Sequence, residues 1–411
     1  MADGRTRKVV VFGSACVDLL MQPERLPRPG VTVLAPTYQL LPGGKGANQA
    51  HACAMASSEN HTSAHAHEKK KNVFVQTEFV GAVGADAFGE QLRRAFLDAG
   101  VGVDGLETHP SLPTACAAVI VDVTGENQIA VGSGANGAAV ASRLKNRAFA
   151  LNPGDVLLQQ MEISKPEVFS AVAIAREAGA FSVLNVAPSA PVPSETLEKL
   201  DFLVANEHEA ADVFESLLVA ARDVGALSPT TARFDGTTDR SIDAVIGRSI
   251  VIASMTGVNV IVTLGAEGAV ACLPRTPRTP RGEISEDVRT AGVTRVRVVR
   301  VADVKNVLIG DETIVDTTGA GDAFCGAFCA SLAADQTLAV CLQRASVAGT
   351  LGCTKVGARA GAPRSDEIDA RAAKVTVAAD FGDDVDDETA AAWLAAPAAA
   401  WTRRGYYEGS S

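Results

Sequence analysis

From Asp155 onward, short apolar runs alternate with helical ones: Val156-Leu157-Leu158, a helical stretch over 166–178, Ser182-Val183-Leu184-Asn185, a second helical stretch near 194–200, then Phe202-Leu203-Val204. A strand that returns parallel to its neighbour needs a crossover, usually a helix, so this rhythm predicts a parallel α/β sheet. Ligands of such sheets lie beyond the carboxyl ends of the strands. That rule singles out the polar residues just after each run: Glu162, Asn185, then Asn206 and Glu209. The chain opens in the same manner, with Val9-Val10-Val11-Phe12 ending at Gly13-Ser14 and Asp18 soon after. Farther on, Val258-Asn259-Val260-Ile261-Val262-Thr263-Leu264 reads as another strand, turned back by Gly265-Ala266-Glu267-Gly268 into Ala269-Val270-Ala271-Cys272. With 411 residues, 47% of them apolar, one large domain with a small appendage is expected.

Three glycine-rich stretches bear on chemistry. Asp316-Thr317-Thr318-Gly319-Ala320-Gly321-Asp322-Ala323-Phe324 lies between a strand-like run and an alanine-rich helical one. Its glycines let the backbone turn sharply, and the first turn of the following helix adds unpaired N–H groups and a positive dipole end. Such a place suits a phosphate, and Asp322 stands where a carboxylate would take a proton from an attacking hydroxyl. The same pattern also suits an Asp helix cap. Gly43-Gly44-Lys45-Gly46-Ala47-Asn48-Gln49-Ala50 is a glycine turn opening a small-residue helix that runs to about Ala56. It fails the Walker pattern, because no glycine lies five residues before Gly44 and Gly46 stands where Ser or Thr would bind metal. What remains is close backbone approach to a small ligand, faced by Asn48 from the first helical turn. Gly132-Ser133-Gly134-Ala135-Asn136-Gly137 matches the dinucleotide fingerprint, with Asp155 nearly at the required downstream distance. It follows a hairpin rather than the first strand of a βαβ unit and precedes a helical stretch with Arg143, Lys145 and Arg147, so it reads as a decoy.

The remainder supplies context. Residues 22–41 read as short strands of an accessory sheet, 73–83 as a strand, 84–100 as turn and helix, and 114–123 with 128–131 as a hairpin. Residues 217–255 are ambiguous, 294–315 read as strands, and 323–332 and 338–351 as helices. The stretch 352–361 is a glycine-rich turn containing Lys355. Polar insertions are expected near 57–72, 222–250 and 274–293; the histidines of the first, His61, His65 and His67, have no suitably spaced Cys or acidic partner for a metal. The formal charge of −11 gives no general attraction to nucleic acid or anionic lipid. The eight scattered cysteines suit a reduced core, and the absence of a secretory leader or membrane-length apolar run leads us to expect a cytoplasmic enzyme.

Taken in order, the first strand with Asp18, the GGKGANQA segment, Asn206 with Glu209, the TLGAEG turn and DTTGAGDAF resemble the ribokinase (carbohydrate kinase) family over roughly residues 9–273 and 294–370. The resemblance implies a ribokinase-like three-layer α/β/α sandwich with a mostly parallel central sheet and a small β-sheet lid. Residues 1–374 would form the kinase domain, with lid strands near 19–42 and 112–131, and 375–411 an extension of unknown role. It implies ATP-dependent phosphorylation of D-ribose at its 5-hydroxyl; the alternatives are another sugar, a nucleoside, or a non-catalytic sensor. Asp18, Gly44, Lys45, Gly46, Asn48 and Glu162 would hold the sugar, Asp322 would be the base, and the backbone of Gly319, Ala320, Gly321 and Asp322 would form the anion hole. Asn206 and Glu209 would serve the ATP phosphates and the Mg²⁺ water shell. Thr263, Leu264, Gly265, Ala266, Glu267, Gly268 and Gly321 would meet the nucleotide. A monovalent cation, usually K⁺, would order the anion-hole loop through Asp316, Thr318, Gly352, Lys355, Gly357 and Gly361. Relatives often form a homodimer through the lid. Two positions depart from the pattern: Cys16 stands where bacterial members often have Asn, and Gly361 replaces a serine.

Overall fold

A computed structural model describes residues 6–57, 73–146, 149–223, 240–274 and 296–380. The insertion histidines, most of 274–293 and the acidic and tryptophan-containing tail fall outside these residues. Strand β1 (Thr6–Phe12) runs into β2 (Cys16–Met21) and β3 (Tyr38–Gly43), followed by α1 (Lys45–Ala56), β4 (Phe74–Gly84), α2 (Ala87–Asp98), β5 (Gly102–His109) and the hairpin β6 (Ala115–Val121) and β7 (Asn127–Gly132). The alternating region then gives β8 (Val156–Gln159), α3 (Lys165–Glu177), β9 (Phe181–Asn185), α4 (Ser194–Leu197), β10 (Phe202–Asn206), α5 (Glu207–Asp223), α6 (Ile242–Thr256) and β11 (Asn259–Thr263). The chain ends with β12 (Ala269–Leu273), β13 (Arg297–Ala302), α7 (Ala320–Ala333), α8 (Leu338–Gly352), α9 (Ser365–Ala372) and β14 (Thr376–Asp380).

The large sheet has ten strands in the order β14-β13-β12-β11-β10-β9-β8-β1-β4-β5, parallel from β11 to β5 and antiparallel among the last three pairings on the other side. Along β1 the fully buried valines and Phe12 divide between its faces, as the two-residue period of a strand requires. Val9 and Val11 join a core with α1, α2, α7 and α8, while Val10 and Phe12 join one with α3, α5 and α6. Three layers follow from that division. The second sheet, β3-β2-β6-β7, is the small β sheet, but residues 22–37, expected as its strands, are irregular: its first strand is Cys16–Met21 and the next begins only at Tyr38.

Helix α7 owes its central place to small side chains. Every residue from Asp322 to Ala333 is buried, and a Cβ on Gly326 would come within 2.7 Å of the Cys53 backbone nitrogen on α1. Close contact between α1 and α7 therefore places the beginnings of both helices side by side.

The fold also corrects the sequence reading. Residues 303–315 are not strand: β13 stops at Ala302 and a 3-10 turn, Val304–Val307, leads into irregular backbone. The large sheet continues beyond residue 374, because β14 pairs with β13. The stretch with Arg143 and Lys145 is a short 3-10 turn, Ala141–Lys145, rather than a longer helix. The described parts of the 217–255 region are the end of α5 and α6, so Ile242 onward is helix rather than part of the insertion expected at 222–250; residues 224–239 lie outside the described residues.

Candidate active site

Asp322 is the third residue of α7 and is 7% exposed. Gly319 caps the helix at φ 79°, and a Cβ there would fall 2.6 Å from Ala358 Cα, so this position requires glycine both for its conformation and for its contact. The Asp322 side chain does not cap its own helix. Its Oδ1 accepts from Gln49 Nε2 at 2.9 Å and its Oδ2 from Asn48 Nδ2 at 3.3 Å, both near the start of α1. Burial raises the Asp322 carboxyl above its ordinary range, against the Lys45 charge and the two amides. The helix-cap alternative thus gives way to a buried, basic carboxylate beside exposed Gly321, at a helix start where Ala320 N already donates to Thr317 O at 3.2 Å and the N–H groups of Gly321 and Asp322 remain to meet a ligand.

The expected sugar residues gather around it. Gly44 opens α1 at φ 88°, and Gly46 packs where a Cβ would lie 2.6 Å from the Ser14 nitrogen. That close approach lets Glu162, which follows β8, bind both neighbours: its Oε2 accepts from Ser14 Oγ at 2.5 Å and from Lys45 N at 2.9 Å. Burial opposes the Lys45 charge, yet Asp322, Glu162 and Glu209 together raise its pKa. Asp18 projects from β2 of the small sheet, with the Cys16 thiol donating to its Oδ1 at 3.1 Å. Burial raises the Asp18 carboxyl, and Glu162 adds to the shift while Arg359 opposes it. The glycine stretch expected to be a decoy is structural here: Asn136 Oδ1 accepts from Ala15 N at 3.0 Å, and Asp155 accepts from Lys8 N and Asn152 N.

Asn206 ends β10 and caps α5. Its Oδ1 accepts from the His208 and Glu209 nitrogens at 2.9 Å each, while Glu209 Oε2 accepts from Asn206 N at 2.8 Å. This reciprocal box fixes Glu209 through one carboxylate oxygen, and Lys45 is close enough to act on its charge. Thr263 ends β11, and Leu264 N donates to Gly268 O at 2.8 Å across the turn, leaving Gly265, Ala266 and Glu267 exposed. The cation residues meet in part. Asp316 accepts from Thr318 N at 2.9 Å and from Gly357 N at 2.8 Å; burial works against its charge, but these bonds lower its pKa. Gly361 sits against Gly352, where a Cβ would overlap the Gly352 carbonyl oxygen at 2.1 Å, so no side-chain oxygen fits there. Lys355 is exposed on the same turn.

The sequence reading overlooked the groups that orient Asp322. Gln49 is fully buried; its Nε2 also donates to Asn185 Oδ1 at 3.0 Å, and its Oε1 accepts from Gln160 Nε2 at 2.6 Å. Its place beside Asn48 in the glycine motif was the available signal. Arg359, within the glycine-rich turn, donates from Nε to Asn48 Oδ1 at 3.0 Å.

Comparisons with known proteins bear on the family and the fold. The pfkB family carbohydrate kinase profile matches residues 6–365. A ribokinase of Schizosaccharomyces pombe is 30% identical over 363 residues, spanning 88% of this chain and 96% of that protein. The Bacillus subtilis ribokinase is 29% identical, covering 88% and 98%. Among solved structures, Arabidopsis thaliana ribokinase complexed with ribose and ATP superposes with a TM-score of 0.65 at 26% identity, covering 90% of this chain and 99% of that one.

Proposed function

The chain belongs to the pfkB family of carbohydrate kinases, and on that footing we propose that it transfers the terminal phosphoryl group of ATP to the 5-hydroxyl of D-ribose. The observation that carries the site assignment is the buried Asp322 carboxylate, held by two amides of α1 at the start of α7. Asp322 takes the hydroxyl proton as that oxygen attacks the γ-phosphorus; the new O–P bond forms as the bond to ADP breaks. The N–H groups of Gly319, Gly321 and Asp322 receive the charge that builds on the transferred group, while Ala320 N, held on Thr317 O, shapes the turn. Asp18, Asn48, Glu162 and the backbone of Gly44 and Gly46 hold the sugar, and Lys45 provides a cation beside it. Glu162 has one oxygen engaged and the other available to a sugar hydroxyl.

Asn206 and Glu209 face the phosphates, and the 263–268 turn lines the nucleotide groove. Mg²⁺ commonly uses one or two carboxylates together with substrate phosphates, and Asn206 with the second oxygen of Glu209 would serve its water shell; when bound, the ion would supply positive charge that offsets the charge of the phosphates. For K⁺, Asp316 fits, because its carboxylate keeps lone pairs beyond the two it uses. Thr318, Gly352, Lys355 and Gly357 would contribute oxygens from the loop and turn, whereas Gly361 offers no side chain. The small sheet serves as the lid of a kinase domain, and its exposed apolar residues, Tyr38, Ile129 and Val131, support pairing with a second copy. Among the described residues no helix is long and apolar enough to cross a membrane. A silent sensor would need no buried base, so Asp322 favours catalysis. The test is a panel of ribose, fructose and adenosine with ATP and Mg²⁺, with and without K⁺. Ribose should be turned over fastest and K⁺ should accelerate it; faster turnover of fructose or adenosine would overturn the substrate assignment.

A further inference from the structure

The sugar site has more acceptors than donors. Asp18, Glu162 and Asp322 only accept when ionised, whereas each sugar hydroxyl has one proton to give and two lone pairs to fill. Gln49 has committed both amide hydrogens, to Asn185 and Asp322, and Asn48 has committed one to Asp322. Arg359 stands beside these groups. Its Nε is bound to Asn48 Oδ1, its guanidinium lies 5.8 Å over the Phe96 ring, and its charge acts on Asp18 and Asp322. Its Nη2 is buried without a hydrogen-bond partner. A buried charged donor left unpaired is costly, and an oxygen arriving with the ligand would satisfy it. The turn that carries Arg359 is tied to the glycine loop by Gly357 N on Asp316, so the side chain enters from a fixed base.

We propose that Arg359 is a sugar-binding residue whose Nη2 donates to a substrate hydroxyl oxygen while Asp18 or Asp322 accepts hydrogen bonds from the sugar. Its Nε separately orients Asn48, directing that amide's nitrogen toward Asp322. The inference rests on the reading of this pocket as the sugar site. It adds a cationic specificity residue to the carboxylates expected there, and assigns the orphaned donor to a neutral hydroxyl rather than to an acidic sugar.

Calorimetric ribose binding without nucleotide tests it in wild type, Arg359→Met and Arg359→Lys. Arg359→Met should weaken ribose about ten- to a hundredfold, the range for a hydrogen bond involving a charged group. Arg359→Lys, which keeps the charge but loses the planar fork, should weaken it less. Repeated with the monodeoxy riboses, the wild-type to Met ratio should fall at least about fivefold for one analogue, the one lacking the hydroxyl that Nη2 meets, what remains being the part that acts through Asn48 and is common to all analogues. A penalty equal across all analogues would leave Arg359 as a positioning residue for Asn48 alone and overturn the contact, as would unchanged ribose affinity. Tighter wild-type binding of ribonate than of ribose would overturn the neutral-hydroxyl assignment. Should the Met variant fail to fold, the Lys variant and the same analogues decide. Wild type that binds no ribose would refute the sugar-site reading itself, whereas wild type that binds ribose beside unaffected variants would refute the Arg359 contact alone.

Discussion

Replacing Gln49 with Met removes a donor from Asp322 while keeping a flexible side chain of similar length. In the native site Gln49 Nε2 lies 2.9 Å from Asp322 Oδ1, and Gln160 and Asn185 bind the same amide, so its orientation is fixed from both ends. Donation to a carboxylate favours its ionised form, and a hydrogen bond to a charged group is worth about 1.5–3 kcal/mol. Losing it therefore raises the Asp322 pKa further above its ordinary value. The base works only when ionised, so the acidic limb of kcat/KM for ribose should move to higher pH. Above the limb the variant should recover to within about tenfold of wild type. The assay is the pH profile of kcat/KM for ribose at saturating ATP and Mg²⁺, which reports ionisations of the enzyme before ribose binds. A separate melting curve should register about 1–3 kcal/mol lost, because the Gln160 and Asn185 amide groups lose their partner. A uniform fall in rate with the limb unmoved would refute the argument, since it would make Gln49 a packing residue with no effect on the proton acceptor.

Asp86→Ala removes an N-cap from α2 together with bonds to the Thr114 nitrogen at 2.7 Å and hydroxyl at 2.6 Å, at the entry to β6, and should cost about 2–3 kcal/mol in urea unfolding. Burial opposes the Asp86 charge, but these bonds hold its pKa below the ordinary value; its contribution is present above that ordinary value, near 3.9, and lost as pH falls through the depressed one, so the gap between wild type and variant should close on acidification below about pH 4. Gly46→Ala places a Cβ 2.6 Å from the Ser14 nitrogen and should destabilise by about 1–3 kcal/mol while raising the KM for ribose, because Ser14 and the Lys45 nitrogen share Glu162; an unchanged KM would detach that backbone approach from the sugar site.

Much of this arrangement was legible in the sequence where local chemistry and fold agree. The alternation after Asp155 became parallel strands β8 to β11, and the glycine turn before Lys45 began α1 as expected. Strand β5 escaped notice because Gly102, Asp104, Gly105 and His109 dilute its apolar pattern, and it is held by pairing with β4. Strand β14 likewise takes its place by pairing with β13, distant in the chain. The loop after β13 misled for the opposite reason, since Val304, Val307 and Leu308 are apolar without being sheet. At the site, Asp322 was visible from its glycines. The amides that orient it were not, because a buried Gln differs from a surface Gln only in what the fold sets against it: Asn185, Gln160 and Asp322 come from three separate elements. Arg359 is the same case, a cation in an apparently solvated turn that tertiary packing carries over Phe96 and against Asn48.

The central claim, that Asp322 is the proton acceptor, is tested most directly by Asp322→Asn. Formation of ribose 5-phosphate and binding of ribose should be measured on the same preparation. Turnover should slow by at least about 10²-fold with ribose still bound; turnover equal to wild type would contradict this role for Asp322.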